Sequence, residues 1–139
     1  MKYLAHYLLT ASNLLGIPAL LKADFPYNVL VGSIMLGSTL MHISETKHNL
    51  EPPILKNYSY ALLNVDRALA LSAGAVFAWK FFQMEKNVQL QVLIIGGIGA
   101  ICMLLGEIKT EDKTFNNVLY PLLHTIWHSS VYACAYLLV

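Results

Sequence analysis

Charged residues are scarce in this sequence. They make up 12% of its 139 residues, whereas soluble domains carry about 25%. Hydrophobic residues account for 57%, so the composition argues against an ordinary soluble domain and predicts that lipid surrounds most of the chain. Acidic and basic residues nearly cancel to a formal net charge of +1. We therefore expect no nucleic acid partner.

Cysteine is also rare, since the chain has only Cys102 and Cys134, and both lie in apolar runs. They are typical of small core residues rather than of a disulfide framework. At the N-terminus, Lys2 precedes an apolar stretch that lacks a clear small-residue cleavage site, and the chain after it is equally apolar. We therefore predict a first membrane helix here rather than a signal peptide.

Five apolar segments with short polar loops predict an all-α membrane bundle of about five transmembrane helices. The whole chain, residues 1–139, is predicted to form one domain. The segments cover roughly residues 3–21, 29–43, 60–82, 88–105 and 118–139. Pro18 predicts a kink or a stop near the end of the first segment. The second loop, residues 45–59, contains Pro52-Pro53, which a helix interior does not tolerate well.

The expected location is an integral, multi-pass position in a membrane. Lysines and arginine near the segment ends are slightly more numerous on the side of the N-terminus and of the second and fourth loops. The positive-inside rule therefore favours an N-terminus in the cytoplasm or its equivalent. An endomembrane and the mitochondrial inner membrane both fit this prediction.

Two histidines, His124 and His128, lie four residues apart in the fifth apolar segment. This spacing places both on one face of a helix, where two imidazoles can hold one metal ion. If the chain crosses the membrane five times, His42, late in the second segment, lies near the same face of the membrane as His124 and His128 and at a similar depth. Three histidine ligands with one open position are the pattern of a catalytic zinc site, although imidazole also suits iron, copper and nickel.

Ser38 and Asp66 are predicted to share this depth, and Ser38 lies four residues before His42 on the same helix face. Polar and ionisable groups inside a membrane are costly and usually face the bundle interior. A metal would lower the pKa of a bound water to about 7. Asp66 would then take the proton as general base, and Ser38 would hydrogen-bond the water or a developing oxyanion.

The pattern of Ser38-x-x-x-His42 on one helix, Asp66 on the next and His124-x-x-x-His128 on the last resembles the CREST superfamily. That group includes the alkaline ceramidases and the adiponectin receptor family. The resemblance implies a seven-helix fold, here reduced to about five helices, with zinc bound by the three histidines. It also implies hydrolysis of a lipid amide or ester, with a membrane lipid as partner and Asp66 and Ser38 assisting.

Other interpretations remain open at the level of sequence. The chain could be an accessory or structural subunit of a larger membrane complex, with a vestigial or non-catalytic metal site. It could also be a receptor or transporter whose histidines line a pathway. Asp66 could simply be an acidic residue near the start of a helix, where its charge interacts favourably with the helix dipole. We expect His6 to be a core or interfacial residue. Glu45 and His48 could form a pair that supports the metal ligands from outside, but the interpretation we favour is that both lie in a solvated loop.

Overall fold

The computed structural model describes residues 4–49, 54–108 and 110–139. Lys2, Pro52 and Pro53 lie outside these ranges. Within the described residues the chain is helical and has no strand, so the predicted all-α class is confirmed. The α-helices are α1 (Leu4–Ser12), α2 (Ile17–Lys22), α3 (Tyr27–Ser44), α4 (Ser59–Phe81), α5 (Lys86–Gly106) and α6 (Tyr120–Leu138). Because α1 and α2 follow one another closely, these helices correspond to the five predicted segments.

The first segment is interrupted before its proline rather than at it. A 3₁₀ turn, Asn13–Gly16, joins α1 to α2, and Pro18 occupies the first turn of α2. Proline is well tolerated there because the N–H it lacks would have no partner within the helix. The turn also lets neighbouring helices approach. A Cβ on Gly16 would lie 2.8 Å from Sδ of Met35 and 2.8 Å from Cε1 of Tyr132.

The helices α1 and α2 pack against both α3 and α6 and so hold these two helices together. The remaining helices are peripheral, since α4 packs mainly on α3 and α5 mainly on α6. The contact between α5 and α6 is close at Gly99, where a Cβ would lie 2.5 Å from Cβ of Ser130. One small apolar core consists of Ala5, Leu9 and Tyr120, at the end of the bundle where α3 finishes and α6 begins.

Three helical stretches are long and apolar enough to cross a membrane, judged by length and composition. They are Leu4–Lys22, Lys56–Phe81 and Lys86–Gly106. In the last two stretches most large apolar side chains point outward, as with Leu71, which is 77% exposed. The other two long helices, α3 and α6, carry the polar residues of the candidate site. The predicted number of five crossings remains a prediction.

The chain enters α6 through a π-helical turn, Phe115–Leu119. Such turns are rare and are frequently found at functional sites. This one buries Asn116 and is followed directly by Tyr120, which is only 1% exposed. The predicted fifth segment began at Val118, so the sequence located this helix but not the irregular turn that leads into it.

Candidate metal centre

Three histidines converge where the end of α3 meets the beginning of α6. His42 lies in the last turn of α3, and His124 and His128 lie in successive turns of α6. Each residue offers one ring nitrogen, and the three nitrogens lie within 4.8 Å of one another. His42 and His128 are buried, whereas His124 is half-buried. The structure thus brings together the three residues that the sequence predicted as metal ligands.

The imidazole rings are steeply inclined to one another rather than stacked in parallel. The ring of His124 is inclined by 85° to the ring of His42 and by 75° to that of His128. Nε2 of His42 lies 3.4 Å from Nε2 of His128. The rings are therefore inclined rather than stacked, and each brings one nitrogen to within 4.8 Å of the other two.

The two residues predicted to assist catalysis differ in their placement. Ser38 is buried one turn before His42, and its Oγ lies 3.4 Å from Nε2 of His128. Asp66 is half-buried on α4, which approaches α3 closely near Gly37. Its carboxylate forms no hydrogen bond with another described residue, and it is not part of the three-histidine group. Ser38 thus contacts the cluster directly, whereas Asp66 lies on the neighbouring helix.

Glu45 belongs to the site, although the favoured interpretation of the sequence placed it in a solvated loop and the alternative paired it with His48 rather than His42. The expectation of a solvated side chain is wrong, because Glu45 is only 5% exposed. Nδ1 of His42 donates to its Oε2 over 2.8 Å, and the Tyr120 hydroxyl donates to its Oε1. Burial raises the pKa of this carboxyl, but the interactions with His42 and Tyr120 lower it more, to about 2. Glu45 is therefore a carboxylate beside a candidate ligand.

The first helix also reaches the site, which the sequence did not predict. Oγ of Ser12 lies 2.6 Å from Nδ1 of His128, and the same hydroxyl donates to the carbonyl of Leu9 over 2.6 Å. Nδ1 of His6 donates to the backbone carbonyl of His42 over 3.0 Å. The expectation that His6 is a core or interfacial residue agrees with its complete burial.

The segment after α3 covers this end of the bundle. His48 is half-buried rather than solvated. Its Nδ1 lies 3.0 Å from Oδ1 of Asn116, and its ring centroid lies 4.1 Å from that of Tyr120. Beside it, Lys47 forms an exposed ion pair of 2.5 Å with Glu107 at the end of α5. The residues after α3 thus pack over Tyr120, whose hydroxyl also donates a hydrogen bond to Glu45.

A spacing of three residues links Glu45 to His42, and this was the one signal in the sequence that could have identified Glu45. No comparable signal identifies Ser12, because 116 residues separate it from His128.

Comparison of the chain with protein-family models, with curated proteins and with solved structures found no match. The geometry of the site is accordingly the basis for the function proposed below.

Proposed function

We propose that this chain is an integral membrane protein that binds one zinc ion through His42, His124 and His128 and hydrolyses an amide or ester bond of a membrane lipid, as a reduced member of the CREST superfamily. The observation that carries the metal site is the distance of 3.4 Å between Nε2 of His42 and Nε2 of His128. Zinc–nitrogen bonds of about 2.0–2.1 Å at a tetrahedral angle place two ligand nitrogens about 3.3–3.4 Å apart. The two side chains are thus spaced for a shared ion.

A direct hydrogen bond between these two rings explains the spacing less well. Hydrogen bonds from N–H groups usually span about 2.7–3.2 Å, and both rings already use Nδ1 on another partner. The donor set consists of imidazoles without a thiolate, which suits zinc and also other transition metals. Zinc is the choice that agrees with a hydrolytic site, because it performs no redox chemistry.

The position of the cluster supports a lipid as substrate. His42 is two residues from the end of α3, and His124 is four residues after the start of α6. In a bilayer, helix ends lie near the interface, where the amide and ester bonds of lipids are found. The outward apolar faces of α4 and α5 support a membrane location as well.

A bound zinc ion would supply a Lewis acid for a carbonyl group and would acidify a water molecule. The protein residues would have separate tasks. Ser38, whose Oγ lies 3.4 Å from a candidate ligand nitrogen, would donate a hydrogen bond to the oxygen on which negative charge develops. Asp66 would accept a proton as general base. It lies outside the cluster, but catalytic hydrogen bonds often tighten only in the complex with substrate.

Elemental analysis of the full-length protein in detergent tests the metal site. We expect about one zinc ion per chain in the wild type, and a loss of zinc after alanine substitution of His42, His124 or His128. His48→Ala is the matched control, because it removes a histidine near the site that is not in the cluster. Unchanged zinc content in all three cluster variants would overturn the site.

Two observations favour a second function, that of a structural subunit with a non-catalytic metal site. Asp66 makes no hydrogen bond to the described residues, and α4 and α5 leave wide apolar faces that partner helices could cover. Turnover of lipid amides or esters by the isolated, zinc-loaded protein would support the hydrolase. Zinc binding without turnover, together with constant co-purification of other chains, would support the subunit.

A further inference from the structure

The protonation of the His42 ring is determined by Glu45. A carboxylate has no proton to donate, so it can only accept hydrogen bonds. Its Oε2 lies 2.8 Å from Nδ1 of His42, and Nδ1 must therefore carry the ring proton. In the neutral imidazole, the lone pair then belongs to Nε2, the nitrogen that faces His128.

The protonation of the His128 ring follows in the same way from Ser12. A serine hydroxyl has a single proton, and Ser12 gives it to the backbone carbonyl of Leu9, which can only accept. Across the distance of 2.6 Å to Nδ1 of His128, the Ser12 oxygen must therefore be the acceptor. The proton of the neutral His128 ring is on Nδ1, and its lone pair is on Nε2.

Two lone pairs consequently face each other across 3.4 Å. They repel unless a cation lies between them, so the outer contacts hold both rings in an arrangement that a metal ion completes. Metal-binding histidines generally donate their other N–H to a carboxylate or another oxygen, and this contact fixes the tautomer and the ring orientation. Here the two oxygens come from different parts of the chain, α1 and the residue that follows α3.

We infer that Ser12 and Glu45 are positioning residues that hold His128 and His42 with Nε2 directed at the metal. This inference rests on the proposed metal centre. It assigns to α1 a role in metal binding in addition to packing, and it predicts that loss of either oxygen weakens the site although every ligand remains. Losses of about 10- to 100-fold in metal affinity are typical for such outer partners.

The Zn²⁺ affinity of the purified full-length protein tests the role of Ser12. We expect Ser12→Ala to bind Zn²⁺ about 10- to 100-fold more weakly than the wild type, and Ser12→Thr, which keeps the hydroxyl, to recover most of the affinity. Ser44→Ala is the matched control. Ser44 is also buried and donates to a carbonyl three residues earlier, that of Met41, but it forms no hydrogen bond with an imidazole.

The same titrations test Glu45 through Glu45→Gln, for which we expect weakened Zn²⁺ binding in a protein that still folds. If Ser12→Ala and Ser44→Ala bind Zn²⁺ equally well, the positioning role of Ser12 is overturned and the metal centre stands. A wild type that binds no Zn²⁺ would overturn the metal centre itself. The two failures are thereby distinguishable.

Nitrogen-15 NMR of the histidine rings in the metal-free protein provides a readout that does not depend on metal. We expect the ring proton of His42 and of His128 on Nδ1. A ring whose proton is on Nε2 while Nδ1 carries none would overturn the inference for that residue, even in a protein that binds Zn²⁺ through the three histidines. In Ser12→Ala we expect the fixed tautomer to be lost for His128 and kept for His42.

Discussion

The hydroxyl of Tyr120 donates a hydrogen bond to the carboxylate of Glu45. Tyr120 is the first residue of α6 and Glu45 directly follows α3, so this bond joins the two helices that carry the three histidines. Both side chains are almost completely buried. This hydrogen bond therefore helps to hold the end of α3 against the start of α6, and so helps to hold the three histidines together.

Replacement of Tyr120 by phenylalanine should destabilise the protein. The variant keeps the buried ring but removes a hydrogen bond to a charged group, which contributes about 1.5–3 kcal/mol. We expect a lower thermal unfolding midpoint and weaker Zn²⁺ binding. Tyr7→Phe is the control, because Tyr7 is 61% exposed and its hydroxyl has no hydrogen-bond partner among the described residues. Identical midpoints for the two variants would contradict the role of the bond.

Removal of the metal should lower the thermal stability of the wild type. A ligand that binds only the folded state stabilises it, by about 2.7 kcal/mol when the free ligand is at 100 times its dissociation constant. We expect a chelator to lower the unfolding midpoint of the wild type and to leave that of His124→Ala unchanged. An equal shift in both proteins would mean that the chelator acts elsewhere than on the three histidines.

Whether the sequence predicted a site residue depends on how much of the chain determines the position of that residue. The spacing of His124 and His128 is set by one helix, so periodicity alone predicts that they share a face. His42 required only the order of the segments along the chain. Ser12 and Glu45 depend on how α1 and the end of α3 pack against α6, and hydrophobic pattern does not encode the identity of packing partners. The apolar segments likewise predicted the helices, but not the 3₁₀ turn Asn13–Gly16 or the π turn Phe115–Leu119.

Two glycines of α5 should respond in opposite ways to replacement by alanine. A Cβ on Gly99 would lie 2.5 Å from Cβ of Ser130, whereas a Cβ on Gly97 meets nothing within 4 Å. We expect Gly99→Ala to lose about 1–3 kcal/mol of stability through overpacking. Gly97→Ala should be neutral, or more stable by up to about 1 kcal/mol, because alanine favours the helix. Thermal unfolding of the two variants in the same detergent gives the comparison.

Replacement of Ser38 by alanine should separate catalysis from metal binding. The ligands stay in place, so we expect a wild-type zinc content, but loss of a donor to the developing oxyanion should lower kcat by about 100- to 1,000-fold. Ser129→Ala is the control, since Ser129 is exposed on α6 and donates to the carbonyl of Thr125.

Replacement of Asp66 by asparagine should likewise leave the zinc content unchanged, and kcat should fall because the amide cannot serve as a base. Activity that survives both substitutions would exclude these roles. If the zinc-loaded wild type shows no lipid hydrolysis at all, the non-catalytic subunit becomes the better account of the three-histidine site.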